Sequence, residues 1–264
     1  MERILSGKDY YDKFAPMDYL QTYYSVNSHV FGLEEWHDFY QSYPSTAKLK
    51  ILEIGSGPVI ANIISAAPHA AEIVLSDYTE ANRSALLQWL NNDPKAFDWT
   101  HIFKHIVVDL EGKTEEEVPI RAKLVREVVK AVVPCDVNQD PPIPPPCDKQ
   151  YDIVADSFCL VCACATTEDY TTALVRLHAL LKPGGKIVLH TPEVEDALTP
   201  LSYPLGPYRF FNLSLTSDII LKSLEQAGFC EINIVKKTRE DLRLSDDVVP
   251  GVAAFSYTTA SKTN

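Results

Sequence analysis

The most constraining feature of this 264-residue chain is a short apolar run that stops at a glycine turn: Lys48-Leu49-Lys50-Ile51-Leu52-Glu53-Ile54, then Gly55-Ser56-Gly57-Pro58. A run of that length bounded by glycine reads as a buried strand, and Pro58 suits the first turn of a helix over Pro58 to Ala67. A second strand follows at Ile73-Val74-Leu75-Ser76-Asp77. A parallel pair of strands needs a crossover, so strand, turn, helix and strand together point to an α/β sheet. In such sheets ligands bind beyond the carboxyl ends of the strands, where the strand order reverses.

The alternation continues. Thr79 to Asn91 is helical, with Leu86, Leu87 and Leu90 on one face. His105-Ile106-Val107-Val108-Asp109 is the expected third strand, and Glu111 to Val133 is a charged helical stretch. The prolines between Asp140 and Pro146 lack amide donors, which makes this an extended surface connection. Tyr151 to Asp156 is a fourth strand. Tyr170 to Leu181 is a helix stopped by Lys182-Pro183-Gly184-Gly185, and Lys186 to His190 is a fifth strand. Thr216 to Ala227 is a helix closed by Gly228, before two final strands at Glu231 to Lys236 and Gly251 to Thr258. Seven strands in a mostly parallel sheet are expected over residues 48–264, preceded by helices in residues 1–47, all in one domain. Five of the 13 tyrosines are Tyr10, Tyr11, Tyr19, Tyr23 and Tyr24, so the helical segment from Lys8 to Tyr43 is aromatic enough to pack on the sheet.

Composition narrows the function. A net charge of -12 counts against nucleic acid as a partner. No apolar run approaches the roughly 18–20 residues needed to span a bilayer, and no apolar leader segment is visible at Met1 to Asp9. Six cysteines are too sparse for a disulfide framework and read as reduced thiols. A cytoplasmic monomer without nucleic-acid or membrane partners is expected.

The chemistry lies in the glycine turn. Gly55 and Gly57 let the backbone approach a ligand, and Asp77 ends the next strand 22 residues after Gly55, where a carboxylate accepts hydrogen bonds from ribose hydroxyls. The dinucleotide pattern needs a third glycine three residues after the second, and Ile60 stands there. A nucleoside without phosphates fits better, and S-adenosylmethionine is such a cofactor. An NAD-dependent oxidoreductase is correspondingly disfavoured.

Further stretches carry a resemblance. Phe14-Ala15-Pro16-Met17-Asp18-Tyr19-Leu20, Tyr23-Tyr24, Ile54 to Pro58, Ser76-Asp77-Tyr78, Asp93 to Trp99, Asp109-Leu110-Glu111-Gly112, Cys135-Asp136-Val137, Phe158-Cys159-Leu160 and Leu180 to Gly185 occur in this order. Nearly the whole chain resembles the nicotinamide / phenylethanolamine / indolethylamine N-methyltransferase family. The resemblance implies a Rossmann-like class I methyltransferase fold with an N-terminal helical lid, and S-adenosylmethionine as cofactor. It implies that Tyr24, Gly55, Ser56 and Gly57 hold the methionine tail, with Ser157 lining it. It puts Asp77 on the ribose, Asn82 on the ribose or tail, Tyr78 against the adenine, and Asp136 and Val137 on the adenine amino group and ring. Tyr19 would sit between cofactor and substrate. The family's tyrosine on the methionine carboxylate is replaced by Ala61.

For the substrate, the resemblance implies Tyr19, Phe158, Thr191, Tyr203 and Asn212. Two acids that hold amines in relatives are replaced by Val161 and Thr191. Glu193, Glu195 and Asp196 follow the fifth strand, and Asp246-Asp247 stand where a relative binds its amine. Asp246, Asp247 and Tyr19 are therefore the candidate catalytic residues, for a small amine such as an indolethylamine or phenylethanolamine. A nicotinamide-type pyridine is the alternative, and a non-catalytic binder of the cofactor another. Plain structural readings stay open: Asp136 as a turn residue, Tyr19 and Tyr24 as packing aromatics, the 193–196 acids as a solvated loop, and His190 as a structural imidazole. Cys159, Cys162 and Cys164 read as buried thiols, and no metal site is expected.

Overall fold

The computed structural model describes residues 4–263 except 8, 27, 29, 31, 45, 149 and 243–249. In chain order the strands are β1 (Ile4–Leu5), β2 (Leu49–Ile54), β3 (Ala70–Asp77), β4 (Val129–Pro134), β5 (Tyr151–Ser157), β6 (Leu181–Glu193), β7 (Leu201–Leu205), β8 (Tyr208–Asn212), β9 (Phe229–Thr238) and β10 (Ala254–Lys262). The helices that matter here are α1 (Asp9–Lys13), α2 (Pro16–Tyr23), α3 (Leu33–Gln41), α4 (Ala61–Ile64), α5 (Glu80–Leu90), α6 (Thr100–Lys104), α7 (Glu117–Val128), α8 (Cys159–Ala163), α9 (Thr167–Ala179) and α10 (Ser217–Gln226).

Seven strands form the main sheet in the order β4-β3-β2-β5-β6-β10-β9. The pairs β3–β4, β2–β3, β2–β5 and β5–β6 are parallel, while β10 runs antiparallel to both neighbours. The order reverses between β2 and β5, so the Gly55 turn lies at the switch point, where such sheets bind ligands. The β2 sequence explains its central place. Successive side chains leave opposite faces, so Ile51 joins Ile73 and Ile153 under one helical layer, and Leu52 and Ile54 join Val74 and Val154 under the other. A strand buried on both faces carries a continuous apolar run.

The expected third strand is a finding of a different kind. Residues His105–Leu110 continue α6 as a π-helical segment, and the third parallel strand is β4, whose Ala131 to Pro134 register against Val74 to Asp77. A three-residue apolar core, Ile106-Val107-Val108, carries no period long enough to separate helix from strand. The helix expected over Glu111 to Val133 shrinks to α7. Its Arg121 is buried and donates to both carboxylate oxygens of Glu111 at 2.7 Å and to Ile64 O at 3.1 Å, pinning the end of the π-helical segment.

Residues 1–47 are not wholly helical. The strand β1 pairs in parallel with β8, which pairs with β7, giving a three-stranded second sheet of order β1-β8-β7. Leu5, Leu205 and Phe210 bury together there, with Tyr10, Phe14, Tyr19 and Tyr203 packed around them. The N-terminal segment is thus clamped to the β7–β8 hairpin. Among the described residues no helix is long and apolar enough to cross a membrane.

Breaking the Arg121–Glu111 pair leaves a buried carboxylate without its main partner. Arg121→Met should therefore lose about 3 kcal/mol of unfolding free energy. Chemical denaturation checks this, and an unchanged midpoint would refute the pinning role.

Candidate functional site

The turn after β2 requires glycine at its first position. Gly55 has φ +59°, and a Cβ there would lie 2.1 Å from Cys159 Sγ, at the start of α8. Gly57 also has positive φ, and its amide donates to Asp77 Oδ2 at 2.9 Å. The other carboxylate oxygen, Oδ1, accepts from Thr79 N at 2.8 Å, Thr79 Oγ1 at 3.1 Å and Asn82 Nδ2 at 3.0 Å. Asp77 is buried, and that burial raises its pKa against the pull of these four donors. Two acceptors stand open beside it: Oδ2 takes one described hydrogen bond, and the buried Asn82 Oδ1 takes none. Vicinal hydroxyls are the donors such a pair fits.

A cavity of about 310 Å³ opens over this turn. It brings together Tyr19, Tyr24, Gly55, Ser56, Gly57, Asp77, Tyr78, Asn82, Asp136, Val137 and Ser157. Asp136 is a turn residue, its Oδ1 accepting from Asn138 N at 3.0 Å, and it also lines the cavity. Tyr78 meets Tyr11 of α1 edge-on at 5.9 Å, so α1 reaches this end of the cavity.

The other end is aromatic. Tyr10, Phe14, Tyr19, Tyr23, Phe158, Tyr203 and Phe255 line it, with Asn212, Cys162 and Pro192. The Tyr10 and Tyr203 hydroxyls lie 2.9 Å apart, and Cys162 Sγ donates to Asn212 Oδ1 at 3.0 Å. Tyr23 OH donates to Pro204 O at 2.5 Å, fastening α2 to the β7–β8 hairpin. Burial pushes the Tyr10, Tyr19 and Tyr203 phenols well up and the Cys162 thiol to about 12, so this wall is uncharged at neutral pH. Phe158 adopts φ +63°, its ring 4.4 Å from the His190 imidazole. Burial lowers the His190 pKa to about 3, which favours a neutral imidazole packed against Phe158.

Thr191 is not among the lining residues. Side chains alternate along β6, so its neighbour Pro192 lines the cavity and Thr191 is buried on the opposite face, towards Tyr170 of α9. Val161 is buried in the core. Glu193 is fully buried, but its carboxylate is held by Lys236 Nζ at 2.7 Å and Ser217 Oγ at 2.8 Å. Glu195 and Asp196 are exposed, which is the solvated-loop reading. Asp246 and Asp247 lie outside the described residues. Among the described residues no cluster of histidine, cysteine or acids could hold a metal. Sequence reasoning missed Tyr10, Phe14, Asn62, Thr79, Cys135, Cys162 and Phe255 as lining residues. Thr79 carried a signal, since a threonine ahead of a helix is a natural N-cap and its hydroxyl accepts from Asn82 N. Tyr10, Phe14, Cys135 and Cys162 stand in stretches singled out above without a place in the cavity wall, and Asn62 and Phe255 carry no such signal.

Solved structures share this architecture. A magnesium protoporphyrin IX methyltransferase from Synechocystis PCC 6803, solved with bound SAM, aligns over 97% of this chain and 95% of its own, with a TM-score of 0.59 at 12% identity. A glycopeptide N-methyltransferase complexed with S-adenosyl-L-homocysteine aligns over 93% and 96%, with a TM-score of 0.55 at 14% identity. The strand order, the turn at the switch point and these likenesses define a Rossmann-like methyltransferase fold. The chain belongs to the NNMT/PNMT/TEMT family, whose model matches residues 2–254. Indolethylamine N-methyltransferase of Mus musculus is 35% identical over 86% of each chain. Nicotinamide N-methyltransferase of Homo sapiens is 33% identical over 87% of each, and human phenylethanolamine N-methyltransferase 28% over 83% of this chain and 79% of its own.

Two buried carboxylates beneath the turn give a pH signature. Burial raises Glu53 to about 7 and Asp156 to about 8. The folded protein keeps these protons where the unfolded chain releases them, so each group makes stability fall as pH rises from the ordinary carboxylate range through its folded value. Glu53→Gln should raise the melting temperature at pH ~8 more than at pH ~5. A variant whose melting temperature differs from that of the parent by the same amount at both pH values would overturn this.

Proposed function

We propose that this protein transfers the methyl group of S-adenosylmethionine to the nitrogen of a small aralkylamine or, in the alternative reading, of a pyridine. The observation that carries the reading is one continuous cavity, with the Asp77 turn at one end and the aromatic chamber under the lid at the other. The sulfonium of that cofactor supplies a methyl carbon activated for displacement. The carbon–sulfur bond breaks towards sulfur as the nitrogen lone pair forms the new bond, leaving S-adenosylhomocysteine and the N-methylated product.

The work left to this chain is binding and alignment. Asp77 and Asn82 hold the ribose hydroxyls, and Tyr78, Asp136 and Val137 surround the adenine. Tyr24, Ser157 and the backbone of Gly55, Ser56 and Gly57 hold the methionine tail. Tyr19 stands between the two halves, and Phe158, Tyr203 and Asn212 hold the acceptor. The lid excludes water, which matters because reacting groups in a dry site keep their alignment.

The acceptor class turns on charge. An alkylamine with a pKa near 10 must shed a proton first, at a cost of about 4 kcal/mol at pH 7. Asp246 and Asp247 would hold an ammonium and take that proton, which favours an aralkylamine. The uncharged wall of Tyr10, Tyr203, Cys162 and Asn212 favours the second reading, a neutral pyridine that needs no proton removed. The reading carries with it a cytoplasmic monomer without nucleic-acid or membrane partners; six free thiols and a net charge of -12 support it.

Methyl transfer from labelled cofactor to indolethylamines, phenylethanolamines and pyridines tests the reaction, and no transfer to any of them would refute it. Asp77→Ala should weaken binding of S-adenosylhomocysteine about 10- to 150-fold by calorimetry, the loss expected for a charged hydrogen-bond acceptor. Asp246→Asn or Asp247→Asn should raise KM for an amine without changing cofactor affinity. Efficient turnover of nicotinamide, with amines inert and both variants silent, would select the pyridine reading.

A further inference from the structure

Phe158 is the strained member of the chamber wall. It is the first residue after β5 and the N-cap of α8, with φ +63° and ψ 1°. A bulky residue in that left-handed region persists only where its surroundings fix it. Two constraints act on its backbone. The next residue, Cys159, packs its Sγ into the space left by the missing Cβ of Gly55, and Phe158 N donates to His190 O at 3.0 Å. The ring is held separately: the His190 imidazole lies 4.4 Å from it, and the Phe255 ring meets it edge-on at 5.9 Å. His190 is 3% exposed and is not among the residues lining the cavity. It lines a second, small hollow of about 10 Å³ with Gly32, Lys237 and Ser256, and Phe255 lines both spaces. The wall is two side chains deep at this point. The chain makes room for the imidazole, since Gly32 has φ +81° and a Cβ there would lie 2.5 Å from His190 Cε1. His190 Nδ1 is buried without a hydrogen-bond partner, a cost that an aliphatic side chain would avoid and that contact with two aromatic rings offsets.

We infer that His190 is a positioning residue for the acceptor: wedged behind Phe158, it holds that ring forward and so sets the depth of the aromatic chamber. His190 acts through Phe158 and touches neither cofactor nor acceptor. The inference rests on the proposed use of the chamber for an acceptor nitrogen compound. A misplacement of about 1 Å can cost on the order of 100-fold in rate, so a wall that cannot retreat serves alignment as well as selection. Without the wedge, Phe158 can relax into the space behind it. The chamber then deepens, holds a single ring loosely and admits a larger one.

Acceptors that differ in ring size test this: an indolethylamine with two fused rings against a phenylethylamine with one, or quinoline against pyridine where amines are inert. In His190→Ala, kcat/KM for the single-ring acceptor should fall about 10-fold or more, and the ratio of fused-ring to single-ring turnover should rise about 10-fold, the scale on which pocket size discriminates. Affinity for S-adenosylhomocysteine, read by calorimetry, should stay within about 2-fold, because the ribose and adenine contacts are made at the other end of the cavity. His190→Leu refills the space and should return the ratio towards that of the parent. Crystal structures of the parent and His190→Ala should show the Phe158 ring displaced in the variant. An unchanged ratio, a loss of cofactor affinity that matches the loss of turnover, or a Phe158 ring that stays in place would each overturn the inference. So would a His190→Leu protein as inactive as His190→Ala, which would mark a chemical role for the imidazole. A parent that methylates none of these acceptors would sink the proposed function itself, and the position of the Phe158 ring then decides the wedge alone. His190→Val removes less volume and carries the same comparison if His190→Ala fails to fold.

Discussion

The Asp77 carboxylate accepts four hydrogen bonds from three residues, and they come from both sides of the switch point. Gly57 belongs to the turn after β2; Thr79 and Asn82 belong to the start of α5. One side chain therefore fixes the turn, the end of β3 and the first turn of a helix relative to one another. The turn can be that tight because Gly55 has no Cβ to meet Cys159. The acid remains buried in a place that disfavours its charge, and its donors compensate. Everything else at this end of the cavity is arranged around that knot.

The parts legible in the sequence were those where one local rule decides the structure. A strand, a glycine turn and a strand-end acid can be read from Lys48 to Asp77 because spacing and residue type suffice. His105 to Asp109 could not be read that way. Its apolar core is as compatible with a π-helical segment as with a strand, and the decision lies in Arg121 and Glu111, ten positions apart in the chain and 2.7 Å apart in space. Thr191 failed for a simpler reason: at a strand end the alternation of side chains sends neighbours to opposite faces, and a shift of one residue changes the wall. The lining by Tyr10 and Phe14 depends on where β1 docks. No period in residues 1–47 encodes a pairing with Tyr208 to Asn212.

The N-terminal helix α1 and the chamber wall are one construction. Tyr10 meets Phe210 of β8 at 4.7 Å and shares a hydrogen bond with Tyr203 of β7, while the next residue, Tyr11, meets Tyr78 at the opposite end of the cavity. Consecutive residues of α1 thus touch both halves of the site. The wall on the aromatic side offers hydroxyls, an amide, a thiol and ring faces.

The position of β10 has a consequence for how the chain comes together. It lies between β6 and β9, pairing with β6 from Ala254 to Ser261 and with β9 on its other side, although it follows both in sequence. Until residues 254–262 leave the ribosome, β6 is an edge and β9 has nothing to pair with. Such an open apolar edge invites pairing with other chains. Closing it joins segments from about 60 to 75 residues apart, the kind of non-local contact that slows folding. During synthesis the half-sheet that carries the glycine turn can form early, while the sheet as a whole stays unsealed until its interior strand arrives.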